Sequence, residues 1–106
     1  MQKKFDLISD PGHGWVKVPL RLLADLKIID RVSRYSYIRG PFAYLEEDCD
    51  LSIFFNAYRA RFGFDPAIRE RVARERRSRV RGYESFVIRS LPESFRPYIP
   101  GLVAMR

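Results

Sequence analysis

The sequence predicts one small α+β domain of roughly three to five mostly antiparallel strands and two or three helices. Three observations point there. Short apolar–polar alternations are separated by turns bearing Gly and Pro, as in strands and hairpins. One stretch carries start and stop signals on either side of a helical apolar pattern. At 106 residues, 46% hydrophobic and 14% aromatic, the chain has enough apolar side chain for a single core and too much for a disordered basic tail.

Taken in order, "KFDLIS" (4–9) and "GWVKV" (14–18) alternate as strands do. The linking "DPGHG" predicts a hairpin-like turn, in which Pro11 presets φ, Gly12 can take a positive φ and Asp10 accepts hydrogen bonds from amides ahead of it. "VPLRLLADLKI" predicts a short helix with Pro19 in its first turn. Leu20, Leu23, Ala24 and the stem of Lys27 share one of its faces, and it ends near Ile28. "RYSYI" and "FAYLEE", separated by "RGP", predict a second β pair.

"DCDLSIFFNAYRARFG" is the best-marked helix. Asp48 or Asp50 serves as N-cap; Leu51, Phe54, Phe55 and Tyr58 form its apolar face; Gly63 is the C-cap. Residues 66–76 fit a strand's period as well as a helix's, and the Asp65-Pro66 opening favours a helix that ends by about Arg76. The tail, 91–106, holds three of the seven prolines and reads as a segment wrapping the domain, packing Phe95 and Tyr98. Residues 1–106 thus form one globular domain.

Twenty Lys and Arg against 13 Asp and Glu give a net charge of +7, and the surplus is arginine. Its planar fork suits phosphate and carboxylate, so an anionic partner is favoured: nucleic acid, a nucleotide signal or an acidic protein surface. A single cysteine, Cys49, permits no intrachain disulfide, and no apolar run approaches the ~20 residues that span a bilayer. Asp6 interrupts the apolar stretch a signal peptide would need. The expected setting is the host cytoplasm, away from membranes.

Several constellations could carry function. Between Arg69 and Arg81 stand seven arginines and two glutamates, +5 of the protein's +7, a strong phosphate-attracting cluster or a solvated, salt-bridged face. In "RYSYIRG", Tyr35, Tyr37 and Arg39 would share one face of a strand and Arg34 and Ser36 the other. That pattern stacks a base and clamps its phosphate, or simply lines a half-buried core. Glu46, Glu47, Asp48 and Asp50 could hold a divalent cation together with His13, cap a helix, or pair with Arg76–Arg81. Cys49 at a helix N-terminus could be a nucleophile, although its acidic neighbours oppose a thiolate. The sequence has no nucleophile elbow, Cys-x-x-Cys, phosphate-binding Gly-rich loop or His-Glu-x-x-His.

The blocks "DPGHGW.KVP", "YSYIRG", "YLEEDCD" and "RRSRVRGYESF", over roughly residues 9–86, together resemble a family of short proteins carried by phages, prophages and plasmids. The pattern falls on Asp10, Pro11, Gly12, His13, Gly14, Trp15 and Pro19; on Tyr35, Ser36, Tyr37, Arg39 and Gly40. It continues on Tyr44 to Asp50 and on Arg77, Ser78, Arg81, Tyr83, Glu84 and Phe86. The family reads as more extended over the "DPAIRERVARE" stretch. The resemblance brings no activity with it; it implies a mobile-element setting, where small accessory proteins often bind host machinery, nucleic acid or a defence signal.

The leading expectation is therefore a non-enzymatic binding module, counter-defence roles such as anti-CRISPR included, that needs no cofactor or metal. Its anion-holding surface comprises His13, Trp15, Arg34, Tyr35, Tyr37, Arg39, Arg76, Arg77, Arg79, Arg81 and Tyr83. One alternative is a small metal-assisted or hydrolytic enzyme using His13 with Glu46, Glu47 or Asp48. Another is a structural domain whose acids and arginines pair internally.

Overall fold

The computed structural model describes residues 4–72 and 79–99. Six strands form one mostly antiparallel sheet: β1 (Lys4–Ser9), β2 (Gly14–Pro19), β3 (Tyr37–Arg39), β4 (Phe42–Glu46), β5 (Ala67–Val72) and β6 (Glu84–Ser85), in the order β5-β1-β2-β4-β3-β6. Only the β1–β5 pair is parallel. Two α-helices, α1 (Leu20–Asp25) and α2 (Leu51–Phe62), lie on one face. Short 3-10 turns at Ile29–Arg31, Arg79–Gly82, Ile88–Ser90 and Glu93–Tyr98 complete the described elements. The class is the expected α+β, with one more strand than the expected upper bound. None of the described helices is long and apolar enough to cross a membrane.

The period-2 pattern of the strands sorts their side chains into two sets. Phe5, Val16, Val18, Ile38, Ala43 and Leu45 point to the helices, where Leu20, Leu23 and Ala24 of α1 and Phe54 and Tyr58 of α2 close the main core. Each buried Val, Leu, Ile or Phe side chain contributes roughly 1.5–3 kcal/mol. Trp15, Tyr37, Phe42 and Tyr44 occupy the alternate positions and gather with Ile8, Val80 and Tyr83 in a smaller cluster on the opposite face. No α-helix belongs to that cluster.

Several expectations hold at the level of single residues. Asp10 accepts hydrogen bonds from the Gly12 and His13 amides, 3.1 and 3.2 Å away, and ties the β1–β2 hairpin. Gly63 ends α2 in the left-handed region at φ 83°. From the tail, Phe95 packs against the core and Ile99 is buried in it, whereas Tyr98 is left exposed.

Others are corrected. Residues 67–72 are the strand β5, not a helix: Ile68 joins the core while Arg69 and Arg71 reach Asp6 on the other face, so period 2 wins once β1 offers a parallel edge. Helix α1 stops at Asp25, short of Ile28, because Lys27 turns to φ 60° and the Lys27 and Ile28 amides fold back onto the Ala24 and Leu23 carbonyls. Pro19 precedes this helix as its N-cap and does not lie inside its first turn.

Strand β3 begins at Tyr37, not Arg34, since a turn closes at Ser33 to Ser36. Asp50 occupies the N-cap position of α2 but does not cap it. Its carboxylate instead accepts from the Ser33 amide and hydroxyl and from the buried Ser36 hydroxyl, whose oxygen in turn accepts the Glu46 amide. Nor does Gly12 take a positive φ; its lack of a side chain leaves room for the Arg81 guanidinium, 3.1 Å from where a Cβ would sit.

Candidate functional site

The β1–β2 turn, the end of β4, the turn before α2 and the Arg79–Gly82 turn converge on one cleft of about 280 Å³. His13, Trp15, Tyr35, Tyr37, Glu46, Asp48, Cys49 and Arg81 line it. Four separate stretches of sequence supply these eight residues, one for each of the four blocks "DPGHGW.KVP", "YSYIRG", "YLEEDCD" and "RRSRVRGYESF". Folding unites them because Trp15 pairs with Glu46 across β2–β4, and Tyr37 pairs with Tyr44 across β3–β4.

Arg81 anchors one wall. Its Nε and Nη2 donate to the two carboxylate oxygens of Asp10 at 2.7 and 2.9 Å, a bidentate pair with Asp10 fully buried at its side chain. The Asp10 hydrogen bond raises the Arg81 pKa, against the opposing effect of desolvation. The guanidinium lies 5.3 Å from the Trp15 ring centroid, and Trp15 meets Tyr37 edge-on at 6.1 Å. Trp15, expected on the anion-holding surface, lines the cleft but is only 2% exposed, and its indole N–H finds no acceptor among the described residues.

Glu46, 6% exposed, forms the opposite wall. One of its oxygens, Oε2, accepts the Asp48 and Cys49 amides at 2.8 Å each, while Oε1 lies 3.5 Å from His13 Nδ1. His13 Nδ1 or Nε2 and one oxygen each from Glu46 and Asp48 all lie within 4.8 Å of one another. The cleft can therefore hold a cation at this wall. Cys49 is exposed, and its hydrogen bond to Glu46, with some burial and the charges of Glu46, Asp50 and Asp48, pushes its thiol up. The shift works against a thiolate nucleophile at Cys49.

Beyond the cleft the helix-free face carries alternating basic and aromatic side chains. Lys17 Nζ sits 4.1 Å from the Phe42 centroid, and the Arg39 guanidinium 5.3 Å from that of Tyr83. Tyr83 packs on Tyr44 at 4.9 Å, and burial, helped by Tyr83, pushes the Tyr44 hydroxyl up to about 12. At the β5 edge Arg69 and Arg71 reach Asp6 at 2.9 and 3.3 Å. Burial works to raise the Asp6 carboxyl, but the hydrogen bonds and charges of Arg69 and Arg71 leave it below its usual range.

Of the expected site residues, the fold brings His13, Trp15, Tyr35, Tyr37 and Arg81 to the cleft and Arg39 and Tyr83 to the adjoining face. Tyr35 does not share a strand face with Tyr37; it stands on the preceding turn, 60% exposed, with the Arg34 guanidinium 5.9 Å from its centroid. Arg79 is exposed on its 3-10 turn, and Arg76 and Arg77 lie outside the described residues. The described arginines of the run are thus divided between β5 and that turn. Arg81 answers Asp10, while Glu46 and Asp50 are held by amides and serines, so the expected pairing of "EEDCD" with "RRSRVR" does not describe these three residues.

Lys17, Phe42 and Tyr44 are not among the expected site residues, whereas Arg69 and Arg71 begin the expected arginine cluster. The signal of the first three was alternation: each sits at a strand position one step from a core residue. Compared with family models, with curated proteins and with solved structures, the chain matches none.

Proposed function

We propose that the chain is a non-enzymatic binding module that takes single-stranded nucleic acid across the helix-free face of its sheet. One observation carries this reading: Lys17, Arg39, Arg69 and Arg71 share that face with Tyr37, Phe42 and Tyr83, beside the exposed Arg34–Tyr35 pair. Cations of this kind track phosphates, and rings between them offer π-faces to unstacked bases. A duplex hides its base faces inside the stack and gains only from the charge. The buried Trp15 and Tyr44 hold the platform; the half-buried Tyr37, Phe42 and Tyr83 and the exposed Tyr35 are what a base can reach. A binder of this kind suits the phage or plasmid setting implied by the resemblance.

Fluorescence anisotropy with a labelled mixed-sequence single strand and its duplex tests the proposal. The single strand is expected to bind more tightly, and a Lys17→Ala, Arg39→Ala double variant to lose at least about tenfold in affinity, from two phosphate contacts at roughly 1 kcal/mol each. Unchanged affinity in the double variant, or no binding by the native chain, overturns it.

A further inference from the structure

The His13–Glu46 wall of the cleft has a geometry that nucleic-acid binding does not use. At 3.5 Å, His13 Nδ1 and Glu46 Oε1 are farther apart than the roughly 2.7–3.2 Å of an ordinary N–H···O hydrogen bond. Two donors each about 2.1 Å from a tetrahedral ion stand about 3.4 Å apart, which is the separation found here. We propose that this wall is a divalent-cation site whose protein ligands are His13 Nδ1, Glu46 Oε1 and a carboxylate oxygen of Asp48.

The three residues are of compatible kinds and already gathered: one ligand atom from each lies within 4.8 Å of the others. Glu46 is preorganised: its Oε2 is fixed by the Asp48 and Cys49 amides, so that Oε1 is left for the cleft. Asp48 is exposed and free to swing the remaining distance. Charge favours the same conclusion, because Glu46 and Asp48 approach each other with Glu46 buried, and the arginine of the cleft, Arg81, is already engaged by Asp10. Two carboxylates so close repel unless a cation lies between them.

Trp15 forms another wall of the cleft and is 2% exposed. A cation with three protein ligands keeps further positions for oxygen, from water or an anion. Mixed imidazole and carboxylate donors suit first-row transition ions such as Mn²⁺ or Zn²⁺ better than Ca²⁺, which prefers oxygen alone.

Trp15 is the only tryptophan, so its fluorescence reports on the cleft directly. Titration of the native chain with Mn²⁺ is expected to quench it along a saturable curve, with calorimetry giving one ion per chain. Asp48→Asn and His13→Ala, both at exposed residues, are each expected to weaken binding at least about tenfold while leaving the thermal transition in place. Quenching that rises linearly without saturation up to about 1 mM, the weak limit of specific cation sites, overturns the proposal. So does equal affinity in the native chain and both variants. Because no oligonucleotide is present, the result stands apart from the fate of the strand-binding proposal.

Discussion

The two faces of the sheet are built from the same strands by opposite rules. On the helix-covered face, Val16, Val18, Ile38, Ala43 and Leu45 form an apolar surface sealed by α1 and α2. Across the sheet, one residue away at every position, stand Trp15, Lys17, Tyr37, Arg39, Phe42 and Tyr44. Neither ion pairs nor cation–π contacts are needed where helices supply apolar cover. Where no helix comes, rings pack on rings and the guanidinium groups of Arg39 and Arg81 lie over them. The covered face gives stability, and the other presents charge and rings at the surface.

That contrast breaks most sharply at Phe54, 0% exposed at the centre of the covered core. Phe54→Ala is expected to cost about 3–5 kcal/mol in chemical denaturation, enough to threaten folding of a domain this size. Ser36 connects the two faces, donating to Asp50 at the start of α2 and accepting from the Glu46 amide at the cleft. Ser36→Ala leaves both partners short of a hydrogen bond and should cost about 1–3 kcal/mol by the same measurement.

The smallest effect belongs to the open face's edge. The Asp6 carboxyl is held below its unfolded value, so its pairing with Arg69 and Arg71 stabilises the fold above the ordinary carboxylate range and is lost as pH falls through the folded value. Asp6→Asn should therefore lower stability at neutral pH by less than about 1 kcal/mol, as for other well-solvated pairs, and leave stability unchanged in strong acid. A variant deficit that persists or grows in strong acid would falsify that assignment.

The legible parts of the fold were those in which local signals agree. Asp10, accepting amides ahead of it, predicts the hairpin turn of "DPGHGW", and Gly63 the end of α2, because such backbone requirements act over a few residues. Residues 67–72 were misread because their pattern serves helix and strand equally; what decides is the edge of β1, at the far end of the chain. The site was legible in its residue types and not in its assembly. His13, Trp15, Tyr37 and Arg81 stood out singly, whereas the place of Glu46 between His13 and two amides depends on pairing of β2 with β4. Asp50 was assigned to a cap because acids usually cap; a buried serine pair claimed it first.

Removing the same charge from each face decides whether the open face, and not net charge alone, holds a strand. Lys17→Ala with Arg39→Ala takes two cations from the open face; Arg21→Ala with Arg61→Ala takes two from the exposed sides of α1 and α2. Single-strand affinity is then followed as salt is raised. The open-face pair should flatten the plot of log affinity against log salt by about 1.4, at roughly 0.7 for each phosphate no longer neutralised, and the helix pair should leave the slope of the native chain. Equal flattening in both double variants would contradict the account.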